Sequence, residues 1–206
     1  LYRKAQVYYR LGEGEKAGLC LHDILKSREN PGRTKLLASY NAYYLLRKER
    51  EALKMAKSVL KETKAGTEAY FHAGFLMAEI YMRNGKQAKA QKTAQRLMSV
   101  WQAQYGEAEL KKWKYRRRRL YELGILYLFT GQREKALEQV HLISDAVKCE
   151  DVCCGTHGET CAEALHLMAL ICEFTGKRQE ALTYYTRLEQ SGFLNIQANY
   201  GRRRMQ

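Results

Sequence analysis

Apolar side chains recur at helical spacing along the chain, as in Leu21 with Ile24, Val140 with Ile143 and Tyr185 with Leu188, which predicts packed helical stripes. The stripes are broken by short polar turns, and five segments align on a Gly followed five residues later by Ala. They read "YYRLGEGEKAGLCLHDIL", "YYLLRKEREALKMAKSVL", "IYMRNGKQAKAQKTAQRL", "LYLFTGQREKALEQVHLI" and "ICEFTGKRQEALTYYTRL". The Gly is Gly12, Gly85, Gly131 or Gly176, with Arg47 in its place in the second copy; the Ala is Ala17, Ala52, Ala90, Ala136 or Ala181. Seven residues before the Gly stands a small residue in four copies (Ala5, Ala78, Gly124, Ala169) and the bulky Tyr40 in the second. Four residues before it stands Tyr8, Tyr43, Tyr81 or Tyr127, and Cys172 in the last copy.

That skeleton predicts a helical hairpin repeated in series. The first helix ends at a Gly able to take a left-handed cap, and the chain reverses within a few polar residues. The second helix begins with Ala where the two backbones cross closely; the small residue faces it and the Tyr is expected to fill the space beside them.

The small–Tyr–Gly–Ala skeleton resembles that of the tetratricopeptide repeat family over nearly the whole chain. The resemblance implies an all-α fold, an α-solenoid of antiparallel helical hairpins forming a superhelix. It implies one domain over 1–206 with repeats near 1–30, 33–66, 71–104, 117–150 and 162–195. The family's early Trp is absent, with Gly74 at that place in the third copy. The last two Ala-to-Ala intervals exceed the family period of about 34 residues by roughly ten each. The extra residues fall at 99–116 and 146–161, where longer helices or decorated loops are expected.

Solenoids of this kind stack each repeat on its neighbours and present a concave face. Family geometry would turn Tyr9, Arg10, Asn41, Tyr44, Phe75, Arg83, Tyr121, Phe129, His166 and Phe174 inward along the first helices. Aromatic anchors with scattered Arg, Asn and His suit a peptide or helix whose apolar residues are flanked by acidic groups. The plainer reading makes these aromatics core between repeats.

Composition agrees with an almost wholly helical chain that can bury a core without disulfides: 206 residues, 46% hydrophobic, 28% charged, with Pro31 the one proline. No segment is apolar for long enough to cross a bilayer, and no signal peptide is visible. Beginning at Leu1 without Met, the chain reads as a fragment of a longer protein. The formal net charge of +14, from 36 Lys+Arg against 22 Asp+Glu, favours acidic partners.

The cations concentrate in "LKKWKYRRRRLYELG", which holds Lys111, Lys112, Lys114, Arg116, Arg117, Arg118 and Arg119 with Trp113 and Tyr115 interleaved. Phosphate neutralisation with base stacking would need such residues. On a helix, however, these charges point all round the cylinder, so the segment is expected to project from the solenoid, partly offset by Glu107 and Glu109. It reads either as a solvated overhang or as a surface for an acidic partner, nucleic acid being one form. Arg202, Arg203 and Arg204 read as a solvated tail, although "GFLNIQANYGRRRMQ" is amphipathic enough to cap the final repeat.

"CEDVCCGTHGETC" gathers four of the six cysteines in the extended connection before the fifth repeat. Cys149 with Cys153, and His157 with Cys161, are spaced to share helix faces, and Gly155 and Gly158 could fold the pairs toward a tetrahedral zinc site. Only three residues separate the pairs, however, which is short for a structural zinc site. A redox pair and a plain reduced loop stand beside the metal reading. Cys20 and Cys172 fall at packing positions, and bunched, reduced thiols suit the cytoplasm.

No phosphate loop, nucleophile elbow or framed carboxylate pair appears, so no enzyme and no cofactor beyond a possible zinc are expected. The leading expectation is a non-catalytic protein- or peptide-binding scaffold or sensor, one specific form being the sensor half of a peptide-responsive transcription regulator. The rivals are a nucleic-acid-binding helical repeat acting through 111–119 and a purely structural dimerisation or docking module.

Overall fold

The computed structural model describes residues 1–27, 31–106, 116–148, 162–191 and 194–206. Among these residues the fold is all-α, a series of helical hairpins: α1 (Tyr2–Arg10), α2 (Gly14–Ser27), α3 (Pro31–Tyr40), α4 (Glu49–Glu62), α5 (Glu68–Arg83), α6 (Gln87–Gln104), α7 (Arg116–Phe129), α8 (Arg133–Lys148), α9 (Ala162–Phe174), α10 (Arg178–Gln190) and α11 (Asn195–Met205). A π-helical turn at Asn41–Leu45 continues α3. The helices form two compact units, Leu1–Lys86 and Gln87–Gln206.

Each turn of the skeleton has the geometry its glycine permits. Gly12, Gly85, Gly131 and Gly176 take φ of 76°, 67°, 85° and 77°. At each, the glycine amide donates to the carbonyl three residues back (Tyr9, Met82, Leu128, Glu173), and the next amide donates five residues back, to Tyr8, Tyr81, Tyr127 or Cys172. These paired bonds satisfy the last helical carbonyls and reverse the chain.

The second copy departs from the skeleton in sequence and in structure alike. Arg47 takes the left-handed conformation at φ 59° without being glycine, where a Cβ costs about 1–2 kcal/mol. The amide of Lys48 reaches back six residues to Ala42, and that of Leu46 five to Asn41. The widened turn follows directly on Tyr40, the bulky residue standing where the other copies have Ala or Gly.

The small-residue positions form the buried seams. Ala5, Ala17, Ala52, Ala78, Ala90, Ala136, Ala169 and Ala181 are all fully buried. Gly124 on α7 lets α8 and α9 approach: a Cβ there would overlap Leu167 Cδ2 and lie 3.2 Å from Gln139 Cβ. The tyrosine expectation is corrected in three copies. Tyr43 and Cys172 are buried, but Tyr8, Tyr81 and Tyr127 are half-exposed. Lysines lie over two of these rings, Lys4 and Lys16 at 5.8 and 5.6 Å from the Tyr8 centroid and Lys135 at 5.4 Å from that of Tyr127. An amphipathic ring lies along the surface and keeps its hydroxyl near water.

Helix α11 closes the second unit against α10, burying Ala198, Tyr200 and Gly201. Arg202 Nε donates to Glu189 Oε2 at 2.8 Å and Arg204 Nε to Glu173 Oε1 at 3.4 Å. The arginine triplet is therefore part of a cap and not a free tail, with Arg202 half-buried and Arg203 and Arg204 exposed. The three cations are visible in sequence; the carboxylates of helices folded beside them are not.

Candidate protein-binding face

In the first unit two of the inward candidates, Tyr44 and Arg83, meet on a carboxylate that the repeat pattern does not mark. Glu79 of α5 is buried. Its Oε2 accepts a hydrogen bond from the Tyr44 hydroxyl at 2.8 Å, and its Oε1 pairs with the Arg83 guanidinium one turn on. Arg83 also donates to the Tyr43 hydroxyl at 3.4 Å. The i,i+4 spacing of Glu79, inside the apolar run "FLMAEIYM", and Arg83 directly after it is the signal that could have found it. Burial, with the Glu79 charge second, pushes the Tyr44 hydroxyl well above the ordinary tyrosine value. Tyr9 is displaced in the same direction by burial, then by Tyr40 and Glu79. Its hydroxyl has no hydrogen-bond partner among the described residues.

Several candidates are therefore corrected from groove lining to interior. Tyr9, Asn41 and Tyr44 are buried, and the Arg83 side chain is only 2% exposed. Asn41 acts as a clamp: its Nδ2 donates to the Gly14 carbonyl at 3.0 Å. Gly14 permits that approach, since a Cβ would lie 2.9 Å from Leu45 Cβ and 3.0 Å from Leu46 Cδ2. Phe75 stays half-exposed, its ring centroid 6.2 Å from Phe71 and 6.3 Å from His72. Arg10 is exposed at the end of α1.

In the second unit, Tyr121 of α7 and His166 of α9 meet with hydroxyl and Nδ1 2.6 Å apart. Phe129 and Phe174 approach to 5.8 Å between centroids. Phe129 and His166 are buried, which corrects their assignment to an open groove, whereas Tyr121 and Phe174 are half-exposed. Aromatics on a helical seam satisfy the packing requirement first, and only those at its edge keep a free surface.

The basic run is also corrected. Arg118 Nε and Arg119 Nη1 both bond the buried carboxylate of Glu122, at 3.1 and 2.6 Å, and Trp101 Nε1 donates to it at 3.2 Å. The Arg119 guanidinium lies 3.6 Å from the Tyr105 ring centroid, and Arg117 pairs with Glu163 at 3.4 Å. Within the run, Arg117, Arg118 and Arg119 are thus drawn onto the fold by Glu163 and Glu122 instead of projecting from it; Leu120 and Leu123 beside them are buried. Arg116 opens α7. Lys111, Lys112 and Lys114 lie outside the described residues, as do Cys149, Cys153, His157 and Cys161.

Among the described residues no cluster of three His, Cys, Asp or Glu is placed to hold a metal ion. No described helix is long and apolar enough to cross a membrane. Cys172 is buried with Ala169, Ala181 and Tyr185, and burial raises its thiol; Cys20 is half-exposed, short of the core position expected for it.

The serial helical hairpins have the fold seen in proteins with TPR-like repeats. The chain is similar in fold to PilW, described as a widely conserved type IV pilus biogenesis factor, with a TM-score of 0.50 and 16% identity over 91% of this chain and 74% of PilW. It is similar also to a putative kinesin light chain of Podosopora anserina with nearly identical TPR-like repeats, with a TM-score of 0.51 and 18% identity over 96% of this chain and 93% of that one. At such identities the likeness is one of fold. No family model matches the sequence, and no curated protein does.

Proposed function

We propose that the chain is a non-catalytic repeat domain that binds a protein or peptide segment, as scaffold or sensor, through edge aromatics on the first helices of its hairpins. We read it as one run of five repeats, at 1–30, 33–66, 71–104, 117–150 and 162–195, working in the cytoplasm. The observation that carries the reading is the set of half-exposed aromatics, Phe75 on α5, Tyr121 on α7 and Phe174 on α9, each held by a ring or hydrogen-bond partner. Aromatics fixed in position but not covered lose little entropy on binding and serve as anchors. The charge of +14 favours a segment with acidic residues beside its apolar ones.

Peptides selected from a displayed library on the immobilised chain test this reading. Tyr121→Ala and Phe174→Ala, both in the second unit, are expected to raise the Kd of a selected peptide about tenfold each, roughly 1.4 kcal/mol. Kd values unchanged in both variants, or a library without a binder tighter than about 100 μM, would sink the reading.

A further inference from the structure

Two second helices of the hairpins carry cations that the fold leaves unused. On α4, Arg50, Lys54, Lys57 and Lys61 follow one another at i, i+4, i+7 and i+11, one face of a helix, and all are exposed. The acids of that helix are turned elsewhere. Glu49 accepts from Asn84 at 2.9 Å, and Glu62 accepts from Lys35 at 2.5 Å and from Ser58. Glu51 lies off the stripe, and the Lys61 charge is one of the causes that hold the Glu62 carboxyl below its ordinary value. Arg50, Lys54 and Lys57 make no side-chain hydrogen bond or ion pair among the described residues.

On α6 the pattern recurs in the other unit. Lys89, Lys92 and Arg96 follow at i, i+3 and i+7, all exposed and unpaired among the described residues. Between Lys86 and Gly106 the sequence has no Asp or Glu, while Thr93, Gln95 and Ser99 stand among the cations. None of the exposed large apolar side chains (Leu1, Val7, Leu11, Leu19, Leu194) lies on either helix.

We propose that the α4 and α6 stripes are docking surfaces for the phosphate backbone of nucleic acid, read without regard to base sequence. Protein interfaces concentrate aromatics and Arg and are depleted in Lys, so a lysine-rich face without an apolar anchor is poorly suited to a protein partner. Phosphate binding asks for what these faces hold: unpaired cations in a row. The stripes share no residue with the edge aromatics or with the arginines committed to Glu122 and Glu163.

A fluorescently labelled random-sequence DNA duplex of about 20 base pairs, titrated with the protein at several salt concentrations, tests the proposal. Each stripe is read by itself, in a chain whose other stripe carries the matching Gln triple; there Arg50→Glu/Lys54→Glu/Lys57→Glu and Lys89→Glu/Lys92→Glu/Arg96→Glu are each expected to raise Kd at least about tenfold. Each should also flatten the slope of log K against log salt by about 2 to 3, close to one unit for every phosphate the variant no longer neutralises. The matching Gln triples, checked by thermal melts, keep the test valid if a Glu triple unfolds. Any of four results overturns the proposal. These are the absence of binding below about 100 μM at low salt, unchanged Kd in both triples, equal weakening by the control Arg3→Glu/Lys4→Glu/Arg133→Glu, and equal competition by polyglutamate, which would point to an acidic protein.

Discussion

The ring of Tyr185 on α10 lies against the bare Cα of Gly201 on α11. A Cβ at position 201 would fall 2.6 Å from Tyr185 Cε2 and nearer still to Cζ and Cε1. The same Tyr185 donates its hydroxyl to Glu173 Oε2 at 2.6 Å, so the ring cannot swing away without breaking a bond to a carboxylate. Gly201→Ala is therefore expected to destabilise the protein by about 1–3 kcal/mol by overpacking. Urea denaturation followed by far-ultraviolet circular dichroism measures it, and an unchanged midpoint would show that α11 does not hold the second unit together.

Glu122 is the electrostatic centre of the second unit. It is 1% exposed and serves Trp101, Arg118 and Arg119 together. Glu122→Ala leaves an indole N–H without its acceptor and a half-buried arginine without its counter-ion, a loss of about 3–5 kcal/mol. Glu122→Gln keeps one acceptor and should lose less. Tryptophan fluorescence during denaturation, read in a Trp113→Phe background so that Trp101 reports alone, follows both variants, and equal losses would show that the carboxylate charge contributes nothing.

Tyr9 and Tyr44 make opposite predictions from neighbouring positions. The Tyr9 hydroxyl is buried without a partner among the described residues, so Tyr9→Phe is expected to stabilise by about 1 kcal/mol. Tyr44→Phe removes a donor from buried Glu79 and is expected to destabilise by about 1–3 kcal/mol. A Tyr9→Phe chain with a lower melting temperature would reveal a bond to that hydroxyl.

Both hydroxyls are also raised by burial, which sets the sign of a pH effect. Unfolded tyrosines ionise near pH 10 while these resist, so above about pH 10 the unfolded state holds fewer protons and stability falls as pH rises. Below that pH the contribution is fully present. Urea midpoints between pH 8 and 11, on a scale set by the ordinary tyrosine value of about 10, should fall less steeply in the Tyr9→Phe/Tyr44→Phe double variant.

Gly176 isolates the backbone contribution of the turn. Its φ is 77°, and a Cβ there would touch nothing. Gly176→Ala is expected to destabilise by about 1–2 kcal/mol from the left-handed conformation alone, and Gly176→Asn by less, since Asn tolerates that region. Thermal melts of the two variants decide it, and equal losses would place the effect elsewhere than in φ.

How much of this was legible in the chain follows from the range of each interaction. Gly12, Gly85, Gly131 and Gly176 cap their helices through bonds no longer than five residues, and their spacing announces them. Even the exception was marked, because Tyr40 and Arg47 break the pattern at the two ends of the π-helical turn. The edge aromatics were legible as positions on first helices but not as exposed or buried. Tyr121 and Tyr44 look alike in sequence, and only the helix packed beside each distinguishes them.

The sequence by itself determined the helices, their reversals and the alanine seams, because local hydrogen bonding and residue size decide those. Tertiary structure alone decided which charges are spent and which are free. Arg118 and Arg119 come to rest on Glu122, Arg117 on Glu163, and Arg202 and Arg204 on Glu189 and Glu173, while Lys54, Lys57, Lys89 and Lys92 stay open to solvent. A charge is attracted to every opposite charge in the chain, and folding selects the few that come within a hydrogen bond's reach.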